Sequence, residues 1–183
     1  MEEQIMNMPA VALRGLTILP GMIAHFDISR ERSLRAVEEA MEQDQKIYLV
    51  TQRNVDSEDP TQEDLYQMGI VADIKQVVRL QNDVVRILVD GISRAALLGF
   101  TDNEKYLEAE ICYCDSNADS LPEDLREAML LGVREAFHRY AAVVGKISKE
   151  LIRQIDQYED LEKLIDYVTN NLSLIHISEP TRP

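Results

Sequence analysis

Ile70-Val71-Ala72-Asp73-Ile74-Lys75-Gln76-Val77-Val78-Arg79-Leu80, followed by Gln81-Asn82-Asp83 and then Val84-Val85-Arg86-Ile87-Leu88-Val89, decides the fold class. In the first run, Ile70, Ala72, Ile74 and Gln76 fall on one side of an extended chain. Val71, Asp73, Lys75 and Val77 fall on the other, the two-residue period of a strand. Gln81-Asn82-Asp83 is a turn, and the chain returns with Val85, Ile87 and Val89 on one face. The pair reads as an antiparallel hairpin. Asp90-Gly91 interrupts the second strand, and the glycine predicts a bulge or bend. Ala95 to Phe100 continues as strand, and Tyr106 to Cys114 pairs after another turn.

Upstream of the hairpin, Pro9 to Leu13 reads as a strand. Arg14-Gly15 breaks it, Leu16 to Leu19 resumes the apolar run, and Pro20-Gly21 forces a turn. Ile23 to Ile28 is a second strand. Ser29 is a candidate N-cap for a helix from about Arg30 to Gln43, with Leu34, Val37, Ala40 and Met41 on its apolar face. Ile47 to Val50 has the composition of a buried strand. Asn54 to Pro60 is an acidic loop, and Thr61 to Gln67 predicts one helical turn around Leu65 and Tyr66. Five to seven short strands with one helix imply a β-rich domain over residues 1–116.

After residue 116 the period changes. Ser120-Leu121-Pro122-Glu123 fits a capping box. Leu125, Met129, Val133, Ala136, Phe137, Tyr140 and Val144 then predict a long amphipathic helix that Gly145 ends. Ser148 starts a second helix through Leu151, Ile152 and Ile155. Asp160 caps a third, carrying Leu161, Leu164, Ile165 and Val168. Residues 117–172 therefore read as a small helical subdomain.

The chain has 183 residues, 45% of them hydrophobic and 28% charged, with a net charge of −14. That composition supports a globular protein rather than a disordered one. The acidic excess argues against nucleic acid, whose binding depends on Lys and Arg, and against anionic membrane surfaces. No apolar run reaches membrane-spanning length, and Met1-Glu2-Glu3-Gln4 is unlike a secretory signal. Two cysteines are too few for a disulfide framework, so a cytoplasmic location is expected.

Few residues suggest chemistry. Cys112 and Cys114 share a strand face but lack further ligands for zinc, and read as buried, unbridged thiols. His25, His138 and His176 are scattered. Gly145-Lys146-Ile147-Ser148 lacks the spacing of a phosphate loop. Asp56, Glu58 and Asp59 lack the glycine and terminal glutamate of a calcium loop. No catalytic, cofactor-binding or metal-binding residue is assigned. The apolar stretch around the Pro-Gly turn stands out instead. Leu16, Ile18, Leu19, Pro20, Met22 and Ile23 are the candidate polypeptide-binding residues, a patch that an adaptable methionine suits.

Five separated segments carry a family resemblance. They are Val11-Ala12-Leu13-Arg14-Gly15-Leu16-Thr17-Ile18-Leu19-Pro20-Gly21-Met22, Arg32 to Met41, Ile47-Tyr48-Leu49-Val50-Thr51-Gln52, Glu63-Asp64-Leu65-Tyr66-Gln67-Met68-Gly69, and Val89-Asp90-Gly91-Ile92-Ser93-Arg94-Ala95. In this order they resemble the N-terminal domain of the Lon family of ATP-dependent proteases. Leu19 stands where an aromatic is common, and Ser29 where glycine is common. Residues 120–172 resemble the helical segment that follows in the family.

The resemblance implies an α+β fold of PUA-like type: a curved sheet or pseudo-barrel with one packed helix, then helices. It implies a substrate-recognition and assembly-supporting role, with unfolded or tagged proteins as partners and self-association within a homo-oligomeric ring. ATP, Mg and a Ser-Lys catalytic pair are implied only for downstream modules. No Walker A sequence is present, so no catalysis is expected of this chain by itself. The alternative is a free-standing PUA-like adaptor or small-ligand-binding protein. The tail over residues 173–183 resembles translated sequencing-adapter sequence, and is expected to be foreign to a longer protease truncated at this point.

Overall fold

The computed structural model describes residues 5–114, 121–145 and 147–178, and side chains of the last stretch through residue 172. Six strands and one helix precede Cys114: β1 (Ile5–Leu13), β2 (Ile23–Ile28), α1 (Glu31–Glu42), β3 (Lys46–Thr51), β4 (Met68–Arg79), β5 (Val85–Phe100) and β6 (Glu108–Tyr113). The strand order is β2-β5-β4-β3-β1-β6, and β5 also pairs with β6. Five strands thus close into a ring, with β2 appended to β5. Among the described strands, β1 and β3 run parallel and the other pairings are antiparallel. The α+β pseudo-barrel with one packed helix is the expected architecture.

Closure depends on β5, which is one 16-residue strand rather than two pieces. Val71 pairs with Ser93 while Ala72 pairs with Gly91, so Ile92 is an extra, bulged residue. A bulge reverses the alternation of everything beyond it. Ile87 and Val89 accordingly pack in one core, with Val11, Leu49, Ile70 and helix residues Ala36, Val37 and Ala40. Ala95 and Leu97, also odd-numbered, pack in the other, with Ala10, Tyr48, Val71, Ala109 and Ile111. The bulge at Ile92 therefore lets one strand serve both faces of the sheet. β1 does the same without a bulge, because both its faces are covered from Met8 to Leu13.

Several local expectations shift. Arg30, not Ser29, is the residue capping α1, and no side chain accepts a hydrogen bond there. The buried face of α1 is Ser33, Ala36, Val37 and Ala40; Met41 is 39% exposed. Small residues let α1 lie close to the sheet, which turns Met41 outward. The Thr61–Gln67 helical turn shortens to a 3-10 turn at Gln62–Asp64, with a Thr61/Asp64 capping box. Leu65 is extended and buried in the barrel core. Cys112 is half-buried and Cys114 exposed, so the buried-thiol reading fails for both.

The chain forms two compact units, Met1–Cys114 and Asp115–Pro183. The composition change at residue 116 and the Ser120 cap lie outside the described residues. The second unit holds α2 (Glu123–Val144), α3 (Lys149–Gln157) and α4 (Leu161–Ser178). Gly145 ends α2 at φ +67°, a left-handed value that suits glycine, and its N–H donates to Ala141 O at 3.0 Å. Ser148 Oγ accepts from Leu151 N at 3.1 Å and Asp160 Oδ1 from Lys163 N at 2.9 Å, so both predicted caps form. The core is Leu130, Phe137, Ala141, Ile155, Leu161 and Leu164. The expected stripe on α2 is partly displaced, since Leu125 and Met129 are exposed while Leu130 and Ala141 are buried. Both sides of α2 carry apolar residues, so spacing alone does not choose between them. α4 continues past residue 172 to Ser178.

Candidate functional site

The β1–β2 connection is laid directly onto β5. Gly21 N donates to Gly91 O at 2.8 Å, and Gly91 N donates to Met22 O at 3.0 Å. Met22 N closes the turn by donating to Leu19 O at 3.1 Å. Side chains fix the other end of the same connection: Thr51 Oγ1 donates to Leu16 O at 2.9 Å and lies 3.2 Å from Thr17 Oγ1. Ile18 is driven into the core while Leu19 remains half-buried beside it.

Beyond β3 the chain turns back on itself. Arg53 N donates to Asp64 O at 2.7 Å, and Tyr66 N donates to Thr51 O at 3.1 Å. Arg53 Nε donates to Leu65 O at 3.0 Å, and its guanidinium lies 5.3 Å from the centroid of the Tyr66 ring. The acidic loop behind it is tied to the barrel through Ser57 O. That oxygen accepts from Arg14 Nη2 and Gln52 Nε2, each at 3.0 Å. Arg30 Nη2 donates to Gln52 Oε1 at 2.7 Å. Burial first, and the nearby Arg14 charge second, lower the pKa of Arg30.

Between these two backbone turns lies a cleft of about 460 Å³. Ile18 and Leu49 are its buried apolar part; Leu19, Tyr66 and Met68 are more exposed. Thr17, Thr51 and Gln67 supply polar atoms, and the charged residues in the lining are Arg53 and Arg94. Among the described residues, no carboxylate lines it. Cys114 Sγ sits 3.5 Å from Met68 Sδ at its margin.

Of the six sequence-predicted residues, Ile18 and Leu19 line this cleft. Leu16 and Met22 pack against the core, Pro20 is half-buried, and Ile23 is 68% exposed on β2. The sequence reading did not single out Thr51, Arg53, Tyr66, Met68 or Arg94 for binding. A signal for most of them existed. Four of the five segments quoted for the resemblance meet here, contributing residues 17–19, 49 and 51, 66–69, and 94. The α1 segment contributes none.

Elsewhere the second unit has a polar hollow of about 620 Å³ beside the Tyr158–Tyr167 ring pair, with Gln154 and Lys163 in its wall. Among the described residues, no group of three or more His, Cys, Asp or Glu is placed to hold a metal ion. No described helix is long and apolar enough to cross a membrane.

Residues 7–178 match the family model described as the ATP-dependent protease La (LON) substrate-binding domain. Lon protease of Lachnoclostridium phytofermentans is 35% identical over 174 residues, covering 95% of this chain and 22% of that protein. Lon protease of Clostridioides difficile is 35% identical over 171 residues, covering 92% and 22%. Lon protease 1 of Bacillus subtilis is 31% identical over 173 residues, covering 94% and 22%. The chain thus spans about a fifth of the length of these curated relatives. Among solved structures, the N-terminal domain of Mycobacterium avium complex Lon protease aligns with a TM-score of 0.68 at 17% identity, over 88% of this chain and 80% of that one. A Lon N-terminal domain protein from Xanthomonas campestris aligns with a TM-score of 0.51 at 14% identity, over 96% and 99%. At those identities the structures speak to the fold.

Proposed function

Because the chain belongs to the family of Lon substrate-binding domains, we propose that it recruits unfolded or damaged polypeptides for an ATP-dependent protease and performs no catalysis itself. The observation that carries this reading is the cleft between the β1–β2 connection and the β3–β4 turn. It is concave, apolar inside and polar at its edges, as recruiting sites for side chains are. Its walls are backbone turns pinned by hydrogen bonds, so little ordering is needed on binding. One side chain in one such cleft gives weak affinity. Several copies held in a ring would raise it through effective concentration.

On this reading, ATP and Mg act on other parts of a whole protease, and the chain works in the cytoplasm. Its thiols, which form no disulfide, suit that setting. Ile18 and Leu19 remain the proposed contacts from the β1–β2 connection, joined by Tyr66 and Met68 across the cleft, with the exposed Ile23 of β2 a proposed contact outside it.

Titration of the full chain with a fluorescently labelled denatured protein tests the reading. Binding is expected in the micromolar range, weakened about tenfold or more by Met68→Glu or Tyr66→Glu. Each of those side chains is 49% exposed, so each substitution tests binding more than folding. No binding by the monomer or a tethered oligomer at high micromolar concentration would sink the proposal.

A further inference from the structure

We propose that Ser57 is a phosphorylation site, its phosphoryl group held between the guanidinium groups of Arg14 and Arg30. The inference concerns a surface outside the cleft and does not depend on what the cleft binds. Ser57 is half-buried in the loop between β3 and β4, and among the described residues its hydroxyl makes no hydrogen bond. Its backbone, by contrast, is held on both sides. Ser57 N donates to Asn54 O at 3.4 Å. Ser57 O accepts from Arg14 Nη2 and Gln52 Nε2 at 3.0 Å each, and from Arg30 Nη2 at 3.5 Å.

Two guanidinium groups thus converge on one neutral carbonyl. The other acceptor of Arg30 is the side-chain oxygen of Gln52, also neutral, at 2.7 Å. These bonds use Nη2 alone on each arginine, out of five N–H donors per guanidinium. Burial, and then the charge of Arg14, lowers the pKa of Arg30, against the opposing pull of Asp59 and Glu58. A dianion between the two arginines would offset their repulsion. Rotation about χ1 keeps the Ser57 hydroxyl near its own carbonyl. A phosphoryl group extends two bonds further, which brings its oxygens within reach of both guanidinium forks without moving the loop.

Asp56, Glu58 and Asp59 flank the serine with the opposite sign, and all three are exposed. Arg32 Nη1 pairs with Asp59 Oδ1 at 3.3 Å. As exposed charges they are screened, whereas the two arginines touch the very residue that would carry the phosphate. The same carboxylates suit a protein serine kinase with a basic substrate groove. In that step Oγ bonds to the γ-phosphorus of a nucleoside triphosphate, and the bond from that phosphorus to the β-phosphate oxygen breaks. The nucleoside diphosphate leaves, and the Oγ proton passes to the kinase's base. The product ties the loop to the ends of β1 and α1 through new charge-assisted hydrogen bonds.

Two measurements on the full chain test this. Incubation with an acidophilic serine kinase and Mg-ATP, followed by fragment mass spectrometry, should place a phosphoryl group on Ser57, and Ser57→Ala should lose it. Phosphorylation only at other residues, or none, overturns the site. Phosphoserine installed at position 57 by codon suppression tests the clamp by phosphorus NMR. Its second pKa, about 6 when free, should fall to about 5 or below in the folded protein, because two cations favour the dianion. In urea, where the flanking carboxylates remain but the arginines are dispersed, it should return to 6 or above. Arg14→Gln, at an exposed position, should recover much of the difference in the folded state. Arg30→Lys, which keeps the charge but not the fork, should recover less than Arg14→Gln. A folded value equal to that in urea, or one that Arg14→Gln leaves unmoved, overturns the clamp.

Discussion

The carbonyl oxygen of Leu19 lies against the Cα of Gly91, so closely that a Cβ added to Gly91 would overlap it. The Ile70 side chain stands 3.0 Å from the same point. Glycine is required here because another backbone crosses. Gly91→Ala should push the β1–β2 connection off β5 and cost about 1–3 kcal/mol, as overpacking does. Urea denaturation measures the loss. Because Leu19 lines the cleft, polypeptide binding should weaken in the folded variant too. An unchanged midpoint would mean that the connection can shift freely.

That contact shows what the sequence could and could not disclose. Gly91 was readable as a bulge or bend, and the ladder does shift beside it, at Ile92. What the bulge accomplishes was not readable. Reversing the side-chain alternation matters only when both sheet faces are buried, and period-two spacing cannot reveal that a second core exists. The strands, the hairpin and the caps at Ser148, Asp160 and Gly145 rest on local chemistry, and they appear where expected. The cleft was half legible. Ile18 and Leu19 lie within an apolar run. Arg53 and Arg94 join them only through long-range pairing, which leaves no local trace. The α2 stripe was misplaced because the helix is apolar on two sides.

Tyr48 and Gly69 form a second close pair. The Tyr48 ring would overlap a Cβ on Gly69, and its hydroxyl donates to Ala95 O at 3.1 Å inside the barrel core. Tyr48→Phe keeps the packing and removes the donor, at an expected cost of about 1 kcal/mol. Burial raises the tyrosine's pKa well above its ordinary value. The folded state therefore resists ionisation that the unfolded chain undergoes near pH 10. Stability from this group is complete below that pH and declines as the pH rises above it. Denaturation between pH 8 and 11 should show a steeper alkaline loss in the wild type than in Tyr48→Phe. Parallel curves would count against the assignment.

Asp27 and Arg86 face each other directly across the β2–β5 ladder, with Arg86 Nε and Nη2 donating to the two carboxylate oxygens at 2.7 and 2.8 Å. The Arg86 hydrogen bond holds the Asp27 carboxyl below its ordinary value. A depressed carboxylate stabilises the fold above its unfolded pKa, about 3.9, and that contribution disappears as the pH falls through the lower folded value. Asp27→Asn should therefore be less stable than wild type at pH 7, with the gap closing under acid. The pair is exposed, so the effect should be small and weaken in salt. A gap that stays constant down to pH 2 would assign the effect to something other than charge.

The two apolar sides of α2 make a final, separable prediction. Phe137 is 3% exposed at the centre of the helical core, and Phe137→Ala should cost about 3–5 kcal/mol. Leu125, Met129, Ala136 and Val143 lie within roughly 40° of one another around the helix at 3.6 residues per turn. That stripe is exposed, Val143 by 87%. Leu125→Lys with Val143→Lys should leave stability within about 0.5 kcal/mol, as surface changes do. An exposed apolar stripe of this length favours association between copies. Light scattering at rising concentration should therefore show the double-lysine variant less associated than wild type, while the urea midpoint stays put. A large drop in stability would place the stripe inside the folded core. Equal scattering by the two proteins would remove it as an association surface.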